Sequence, residues 1–236
     1  YLQPFRMGRE MIQGLDRWCL WLEDLDPADI HRSPILKQRI EANRAYREQA
    51  PKGGDAYKLR DIPHLMRPHA NRPTEPYVGI PRIFSETRKW ATVERMPPEV
   101  IAADSVFTAI DPDGFLFAVA SSSMFITWQR MVGGRLKSDL RFASTIVWNN
   151  LPLPDVDGVL RQQIIEAGKA VLEVRERHPE RSLADHYNPA AMDPALVDAH
   201  DTLDRYVDRA FGAKEALHTN EERQVILLQR YQEMTA

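Results

Sequence analysis

Short apolar runs separated by turn-forming residues dominate this chain up to residue 153, a pattern typical of small strands. The run from Trp18 to Leu22 precedes a turn at residues 24–27 and predicts a buried strand, whose tryptophans we expect to pack in a core. The other predicted strands are Tyr77–Phe84, Trp90–Arg95, Val106–Ile110, Phe115–Ala120 and Thr145–Trp148. Predicted turns lie at Pro97-Pro98, Asp111–Gly114 and Asn149-Asn150.

Helical spacing appears in two further places. Ser121 or Ser122 is expected to cap a helix that buries an apolar stripe, formed by Met124, Phe125, Trp128 and Met131. Beyond Pro154, helices are expected before Pro179, from Asp193-Pro194 to Gly212, and from Asn220 onward. The predicted fold class is α+β: a domain of residues 1–153 with a mixed or antiparallel sheet and inserted helices, followed by an all-α domain of residues 154–236.

Four charged residues alternate after the glycine pair Gly133-Gly134, at Arg135, Lys137, Asp139 and Arg141. Side chains of an extended chain point alternately to opposite faces, so one strand here would present all four from one side. Such a row suits a solvated edge strand, since charged edges are common. It also suits the reading of a polyanion, because lysine can donate to guanine and aspartate can accept from cytosine in the major groove.

Charge is distributed unevenly, although the formal net charge is only −3. Residues 31–77 hold ten Lys or Arg against five Asp or Glu, whereas residues 156–236 hold ten against fifteen. A polyanion would therefore approach one part of the chain only. The single Cys19 excludes a disulfide framework and fits a reducing cytoplasm.

The basic segment begins with a predicted helix, in which Ser33 is the N-cap and Pro34 the first helical residue. Its thin inner face would be Leu36, Ile40 and Asn43, and its outer face carries Lys37, Arg39, Arg44 and Arg47. A long loop rich in proline and glycine follows, with basic residues at Lys52, Lys58, Arg60, Arg67 and Arg72. The helix is either simply solvated or laid along phosphates. His64 and His69 have no partners at a convincing metal-ligand spacing.

Several longer motifs resemble one family, the MmeI-like Type IIL restriction–modification DNA methyltransferases. The family's G-R-L-x-S-x-Y-R-Y-S row and its I-V-Y-N-N-F-P-W-P ending are similar to residues 134–144 and 146–154 here. Leu140, Phe142 and Trp148 replace tyrosines of that pattern, and Leu151 and Leu153 replace its aromatic residues beside the prolines.

Other parts of the chain extend the resemblance to nearly its whole length. Residues 17–22 match the family's R-W-C-L-W-L, and residues 85–90 keep the core of its S-S-E-R-R motif with an altered flank. Residues 183–187 resemble L-A-D-x-Y, and residues 199–205 resemble A-H-x-x-L-D-R. The resemblance makes residues 1–30 the junction with a methyltransferase domain upstream. Since the sequence begins at Tyr1, we expect a fragment of a longer chain.

The resemblance implies a function and a set of site residues. Lys137 and Asp139 would read bases, with Ser105 and Arg141 as a second pair. Phosphate contacts would come from Arg130, Arg135 and the basic segment, at Arg44, Arg47 and Lys58. The partners would be double-stranded DNA and the chain's own methyltransferase domain, with no membrane involved, in the cytoplasm at the nucleoid. S-adenosylmethionine would serve the parent enzyme and bind outside this fragment.

No catalytic constellation is recognisable in the sequence itself. It lacks a glycine-rich cofactor loop, an Asn-Pro-Pro-Tyr motif that would hold a flipped adenine, a P-loop and a His-Glu-x-x-His motif. The nearest string, Asn188-Pro189, has no aromatic residue after it and is typical of a turn. Two alternatives remain open: a non-enzymatic scaffold that binds a protein through its acidic helices, and a stand-alone enzyme with an unfamiliar site.

Overall fold

The computed structural model describes residues 1–67 and 73–236, so Arg72 and His69 of the basic loop lie outside the described residues. The strands are β1 (Leu2–Arg6), β2 (Trp18–Leu20), β3 (Tyr77–Pro81), β4 (Ile83–Phe84), β5 (Glu94–Met96), β6 (Ile101–Ala102), β7 (Val106–Ile110), β8 (Gly134–Leu136) and β9 (Asp139–Arg141). The helices are α1 (Gly8–Gln13), α2 (Pro27–Arg32), α3 (Pro34–Glu48), α4 (Asp55–Lys58), α5 (Phe115–Ala120), α6 (Ser123–Val132), α7 (Gly158–Glu176), α8 (Leu183–His186), α9 (Pro194–Ala210) and α10 (Asn220–Thr235). The predicted α+β class is confirmed.

Two compact units divide the chain: Tyr1–Pro4 with Trp18–Arg72, and Phe5–Arg17 with Pro73–Ala236. In the first unit, α3 begins as predicted, because the Ser33 hydroxyl accepts the N–H of Leu36 at 3.2 Å and Pro34 is the first helical residue. Leu36 and Ile40 turn inward and pack with Leu22 in a small core.

The prediction that the tryptophans of residues 18–22 pack in a core is wrong for Trp18, which is 59% exposed. The strand is only three residues long, and it pairs antiparallel with Leu2–Pro4 of β1. Trp18 is the first residue of this short strand and remains exposed, whereas Leu22 lies beyond the end of the strand and packs with Leu36 and Ile40.

The second unit contains two small antiparallel sheets, and Arg82 is the residue that separates strand β3 of one sheet from strand β4 of the other. Strand β3 lies between β5 and β7, and pairs Tyr77 with both Met96 and Ile110. Strand β9 lies between β4 and β8. The backbone of Arg82 links the two sheets, since its N–H donates to the Ser105 carbonyl at 2.9 Å and its carbonyl accepts the N–H of Phe142 at 2.9 Å.

The predicted strand at residues 115–120 is instead helix α5. Gly114 adopts a left-handed φ of 86° and reverses the chain, and the Asp111 carboxylate accepts the N–H groups of Leu116 and Phe117, both at 2.9 Å. These bonds satisfy the first turn of a helix. The run is apolar at nearly every position, so its periodicity did not distinguish a buried helix from a buried strand.

The predicted strand at residues 145–148 is also wrong, because Ser144–Trp148 forms a π-helical turn. The Asn150 side chain donates to the carbonyls of Thr145 and Ile146 at 2.9 and 3.0 Å, and the Trp128 indole donates to the Val147 carbonyl at 2.8 Å. In a sheet these carbonyls would accept from a neighbouring strand. Here they accept instead from the side chains of Asn150 and Trp128. Predicted strand Trp90–Arg95 shortens to Glu94–Met96, with Trp90 buried ahead of it.

The helices after residue 154 are confirmed, and they share one core with the strands of the second unit. Helix α7 approaches α5 so closely that a Cβ on Gly168 would lie 2.6 Å from the Cβ of Ala118, which explains glycine at this point. The apolar stripe of α6 is buried as predicted at Met124, Phe125 and Trp128. The division into a domain of residues 1–153 and a domain of residues 154–236 stays a prediction.

A buried carboxylate ties these helices to the strand region. Asp204 of α9 accepts the N–H and the hydroxyl of Ser123 at 2.6 and 2.5 Å, and the indole N–H of Trp90 at 3.0 Å. Burial raises the pKa of Asp204, and the donors from Ser123 oppose that shift. A buried charge is stable only when it is hydrogen-bonded, so these three bonds fix Trp90 against α9.

Replacing Asp204 by alanine should therefore destabilise the second unit severely. Three buried donors would lose their acceptor, and each unsatisfied group costs about 1–3 kcal/mol, which makes a loss of at least about 3 kcal/mol in the free energy of unfolding. Asp201→Ala is the matched control, since Asp201 makes an exposed ion pair with Lys89 that is worth about 0–1 kcal/mol. Urea unfolding of both variants measures the difference, and equal midpoints would contradict the role of Asp204.

Candidate nucleic-acid interface

The alternating charges lie on a hairpin of residues 134–141, not on one strand as predicted. Strands β8 and β9 pair antiparallel, with Gly134 opposite Arg141 and Leu136 opposite Asp139. Lys137 and Ser138 form the two-residue turn, in which Lys137 has a left-handed φ of 57°. This conformation reverses the chain at a residue other than glycine, so the turn lacks the residue type that usually marks such a hairpin in a sequence.

The hairpin separates the four charges into three positions. Asp139 and Arg141 share one face of β9, because they are two residues apart on a strand. Arg135 is paired with Leu140, so both project from the face of the hairpin opposite to Asp139 and Arg141, and the Leu140 side chain is buried there. Lys137 is exposed at the tip. Lys137 and Arg141 are thus exposed, Asp139 is partly buried beside Arg141, and Arg135 is exposed on the opposite face of the hairpin.

Segment 85–90, the part of the chain that resembles S-S-E-R-R, holds two of the predicted phosphate contacts. Arg135 Nη1 donates to Glu86 Oε2 at 3.0 Å, and Arg130 Nη2 donates to the carbonyl of Arg88 at 2.8 Å. Burial lowers the pKa of the half-buried Arg130, and nearby Arg135 lowers it further. Both guanidiniums thus have internal partners as well as the partial exposure a phosphate contact needs.

Asp139 has a neighbouring cation from the same segment. Burial lowers the pKa of Arg88, and the carboxylate of Asp139 opposes that shift. Arg88 Nη1 also donates to the Thr92 hydroxyl at 3.1 Å, which helps to orient the guanidinium. Sequence reasoning named neither Glu86 nor Arg88 as a site residue, although the motif that contains them was noticed.

Ser105 and Arg141, the second predicted pair of base readers, lie on neighbouring parts of the second unit. Arg82 bonds through its backbone to the Ser105 carbonyl, and the next residue, Ile83, stands opposite Arg141 in the β4–β9 pair. The Ser105 hydroxyl accepts the N–H of Gly8 at 2.9 Å, which leaves its own proton free to donate. Arg141 is exposed.

In the first unit, Arg44 and Lys58 are exposed, as a phosphate contact requires. Lys58 pairs with Asp55 at 3.6 Å, and Arg44 has no hydrogen bond or ion pair within the described part of the chain. The prediction for Arg47 is wrong, because this residue is 7% exposed and donates to the carbonyls of Leu59, Ile62 and Leu65 at 2.9, 2.8 and 2.7 Å. Arg47 folds the basic loop onto α3 and has no face left for a phosphate.

Two family models match this chain: the MmeI target recognition domain over residues 1–155 and the MmeI C-terminal domain over residues 157–236. The chain belongs to the MmeI family. DNA methyltransferase A of Bacillus subtilis (strain 168) is 32% identical over 235 residues, which cover 100% of this chain and 26% of that protein.

A solved structure of the family resembles the whole chain. The Type IIL restriction-modification enzyme MmeI in complex with DNA is 31% identical, with a TM-score of 0.91, and the similarity covers 100% of this chain and 31% of the MmeI chain. The present chain therefore spans about a quarter to a third of the length of these relatives.

The two C-terminal motifs of the MmeI family meet in one buried cluster of the second unit. Tyr187 accepts from Arg175 Nε at 3.0 Å, and its hydroxyl is hydrogen-bonded to His200 Nε2 at 2.7 Å. His200 stacks on Trp90 with ring centroids 4.4 Å apart, and burial holds the pKa of His200 well below its usual range. His200 is therefore neutral, and this cluster positions Trp90 at the end of segment 85–90.

Within residues 1–67 and 73–236, no group of three or more His, Cys, Asp or Glu side chains could hold a metal ion. No helix of that part of the chain is long and apolar enough to cross a membrane. Asn188-Pro189 forms a turn, as predicted, in which the Asn188 side chain accepts the N–H of Ala190 at 3.1 Å.

The structural role of Arg47 can be tested against its neighbour Arg44. Arg47→Met should lower the free energy of unfolding of the first unit by about 3 kcal/mol, because three partly buried carbonyls lose a charged donor. Arg44→Met removes the same charge from an exposed position and should leave stability nearly unchanged. Hydrogen exchange of residues 55–67 measures both, and faster exchange in the Arg44 variant alone would contradict the assignment.

Proposed function

We propose that this chain recognises a specific sequence of double-stranded DNA, as the target-recognition part of a site-specific adenine DNA methyltransferase of the restriction–modification kind. The observation that carries the proposal is the similarity of the whole chain to the MmeI enzyme solved with DNA. Exposed charges on a hairpin tip agree with it, since a two-stranded ribbon fits the major groove. A location in the cytoplasm, at the nucleoid, is part of the proposal.

Lys137 and Asp139 are the proposed readers of one G:C pair, with guanine read by the lysine and cytosine by the aspartate. The hairpin supports this assignment because Lys137 is exposed at its tip and Asp139, two residues later, shares a strand face with the exposed Arg141 and remains partly exposed. Ser105 and Arg141 form the proposed second pair, with a free hydroxyl proton and an exposed guanidinium. Each good contact of this kind gives about 1–3 kcal/mol of discrimination.

Phosphate contacts are proposed for Arg130 and Arg135 in the second unit and for Arg44 and Lys58 in the first. Such contacts fix the register of a protein on DNA without carrying sequence information. They also make binding depend on salt, because each neutralised phosphate releases counterions. Arg47 is removed from this set by its burial.

The methyl donor in the parent enzyme would be S-adenosylmethionine, and two cavities formed by the described residues do not fit it. One cavity of about 600 Å³ in the first unit is lined by apolar residues with Arg39 and His64, and one of about 520 Å³ in the second unit is lined by Asp198, Asp201 and neighbouring charges. Neither has the glycine-rich turn between a strand and a helix that cradles such nucleosides. Methyl transfer is therefore assigned to the part of the relatives that this chain does not span.

Neutralising Arg44 and Lys58 together should weaken binding to every DNA sequence alike. The change removes two phosphate contacts, so the slope of log affinity against log salt should flatten by about 2. Titrations of the intact protein at several salt concentrations, on two unrelated duplexes, measure the slope. A loss restricted to one duplex would assign the two residues to sequence reading instead.

The base readers can be tested by reversing their chemistry. Lys137→Glu with Asp139→Arg would offer an acceptor to cytosine and a donor fork to guanine of the opposite strand. The doubly changed protein should then select C where the original selects G, whereas either single change should mostly abolish selection, because one polar partner is left unmatched. Sequencing of DNA enriched from a random duplex library, or of the methylated positions in cells, reports the outcome. An active double variant with unchanged selection would place the readers elsewhere.

A further inference from the structure

The 134–141 hairpin has little backbone support at its tip. Within the described residues, strand β8 is an outer strand of its sheet that pairs with β9 alone, and its three residues are all exposed. The inner strand β9 is held by β4 on its other side. A short edge strand of this kind leaves the following turn free to move unless side chains restrain it.

Arg135 supplies that restraint with a single nitrogen. Its Nη1 donates to the carboxylate of Glu86 at 3.0 Å and to the carbonyl of Ser138, within the turn, at 2.9 Å. The guanidinium nitrogen carries two protons, so both bonds can form at once. The turn that presents Lys137 is thus tied, through Arg135, to a carboxylate 49 residues earlier in the chain.

Glu86 is held on a well-anchored segment. Arg130 Nη2 donates to the Glu86 carbonyl at 3.4 Å and to the Arg88 carbonyl at 2.8 Å. At the end of the same segment, Trp90 is 1% exposed and bonded to Asp204. Glu86 therefore connects the turn of the hairpin, through Arg135, to a segment that is anchored in the buried core.

We propose that Glu86 is a positioning residue for base reading, which acts through Arg135 on the turn that carries Lys137. The proposal rests on the proposed function and adds a residue that does not itself contact a base. A carboxylate with 44% of its side chain exposed would repel nearby phosphates, so attraction to DNA does not explain its place beside the hairpin. Its effect on selectivity and its effect on general affinity should then have opposite signs.

The test compares Glu86→Ala with Glu86→Gln in the intact protein. Both variants remove the negative charge, but glutamine keeps an oxygen that can accept from Arg135. Dissociation constants are measured for the duplex that the unchanged protein enriches from a random library, and for the same duplex with the G:C pair read by Lys137 replaced by A:T. Glu99→Gln, an exposed carboxylate with no ion pair within the described residues, is the charge control.

The selectivity ratio is the dissociation constant of the replaced duplex divided by that of the enriched duplex. We expect this ratio to fall about tenfold in Glu86→Ala and to return most of the way to its original value in Glu86→Gln. Affinity for the replaced duplex should be equal to or tighter than that of the unchanged protein in both variants. Glu99→Gln should leave the ratio unchanged.

Three outcomes would overturn the proposal. An unchanged ratio in Glu86→Ala would show that the turn is fixed by other contacts. A parallel loss of affinity for both duplexes would make Glu86 a residue of general stability. Failure of the unchanged protein to enrich any sequence would reject the proposed function and the positioning role with it. This result can be told apart from failure of the positioning role alone, because the enrichment is done before any variant is measured.

Discussion

The buried carboxylate of Asp204 is the constraint on which the candidate interface depends. It collects donors from Ser123 and Trp90, which are 81 and 114 residues away in the chain. A carboxylate with this little access to water requires such donors, so the positions of α9, the start of α6 and the end of segment 85–90 are fixed together. Segment 85–90 in turn holds the hairpin, which makes the helices part of the same mechanical support.

Arginine serves two different purposes in this chain, and burial separates them. Arg47 and Arg175 are both 7% exposed and spend their donors on backbone carbonyls and on Tyr187. Arg141 and Arg44 remain exposed to solvent. A guanidinium has five donors in a fixed fork, so it can organise several carbonyls of an irregular loop as well as it can grip a phosphate. A count of basic residues therefore overstates the surface available to a polyanion.

The acidity of the C-terminal helices is also partly internal. Asp204 is buried with Ser123 and Trp90, and Asp208 is buried with Arg223, which donates to it at 3.0 and 2.7 Å. Carboxylates committed in this way are not available to a protein partner. The interpretation of this region as an acidic docking surface for a scaffold protein thus loses part of the charge on which it rested.

The sequence by itself determined α3, α6, the three long helices after residue 154 and the family. Ser33-Pro34, Ser122 and Asp193-Pro194 are local start signals, and each begins the predicted helix because an N-cap bond needs only neighbours within three residues. Only the tertiary structure decided the nature of two apolar runs, the burial of Arg47 and the shape of the charged row. Residues 115–120 are helical because Asp111 accepts their N–H groups, and Arg47 is buried because a loop folds onto it. The charged row became a hairpin through a left-handed Lys137 and a bond from Arg135 to Glu86. The bonds from Arg47 to the loop and from Arg135 to Glu86 join residues 12 to 49 positions apart, and the turns at Gly114 and Lys137 need a left-handed backbone angle. The spacing of apolar and charged residues along the chain predicts neither.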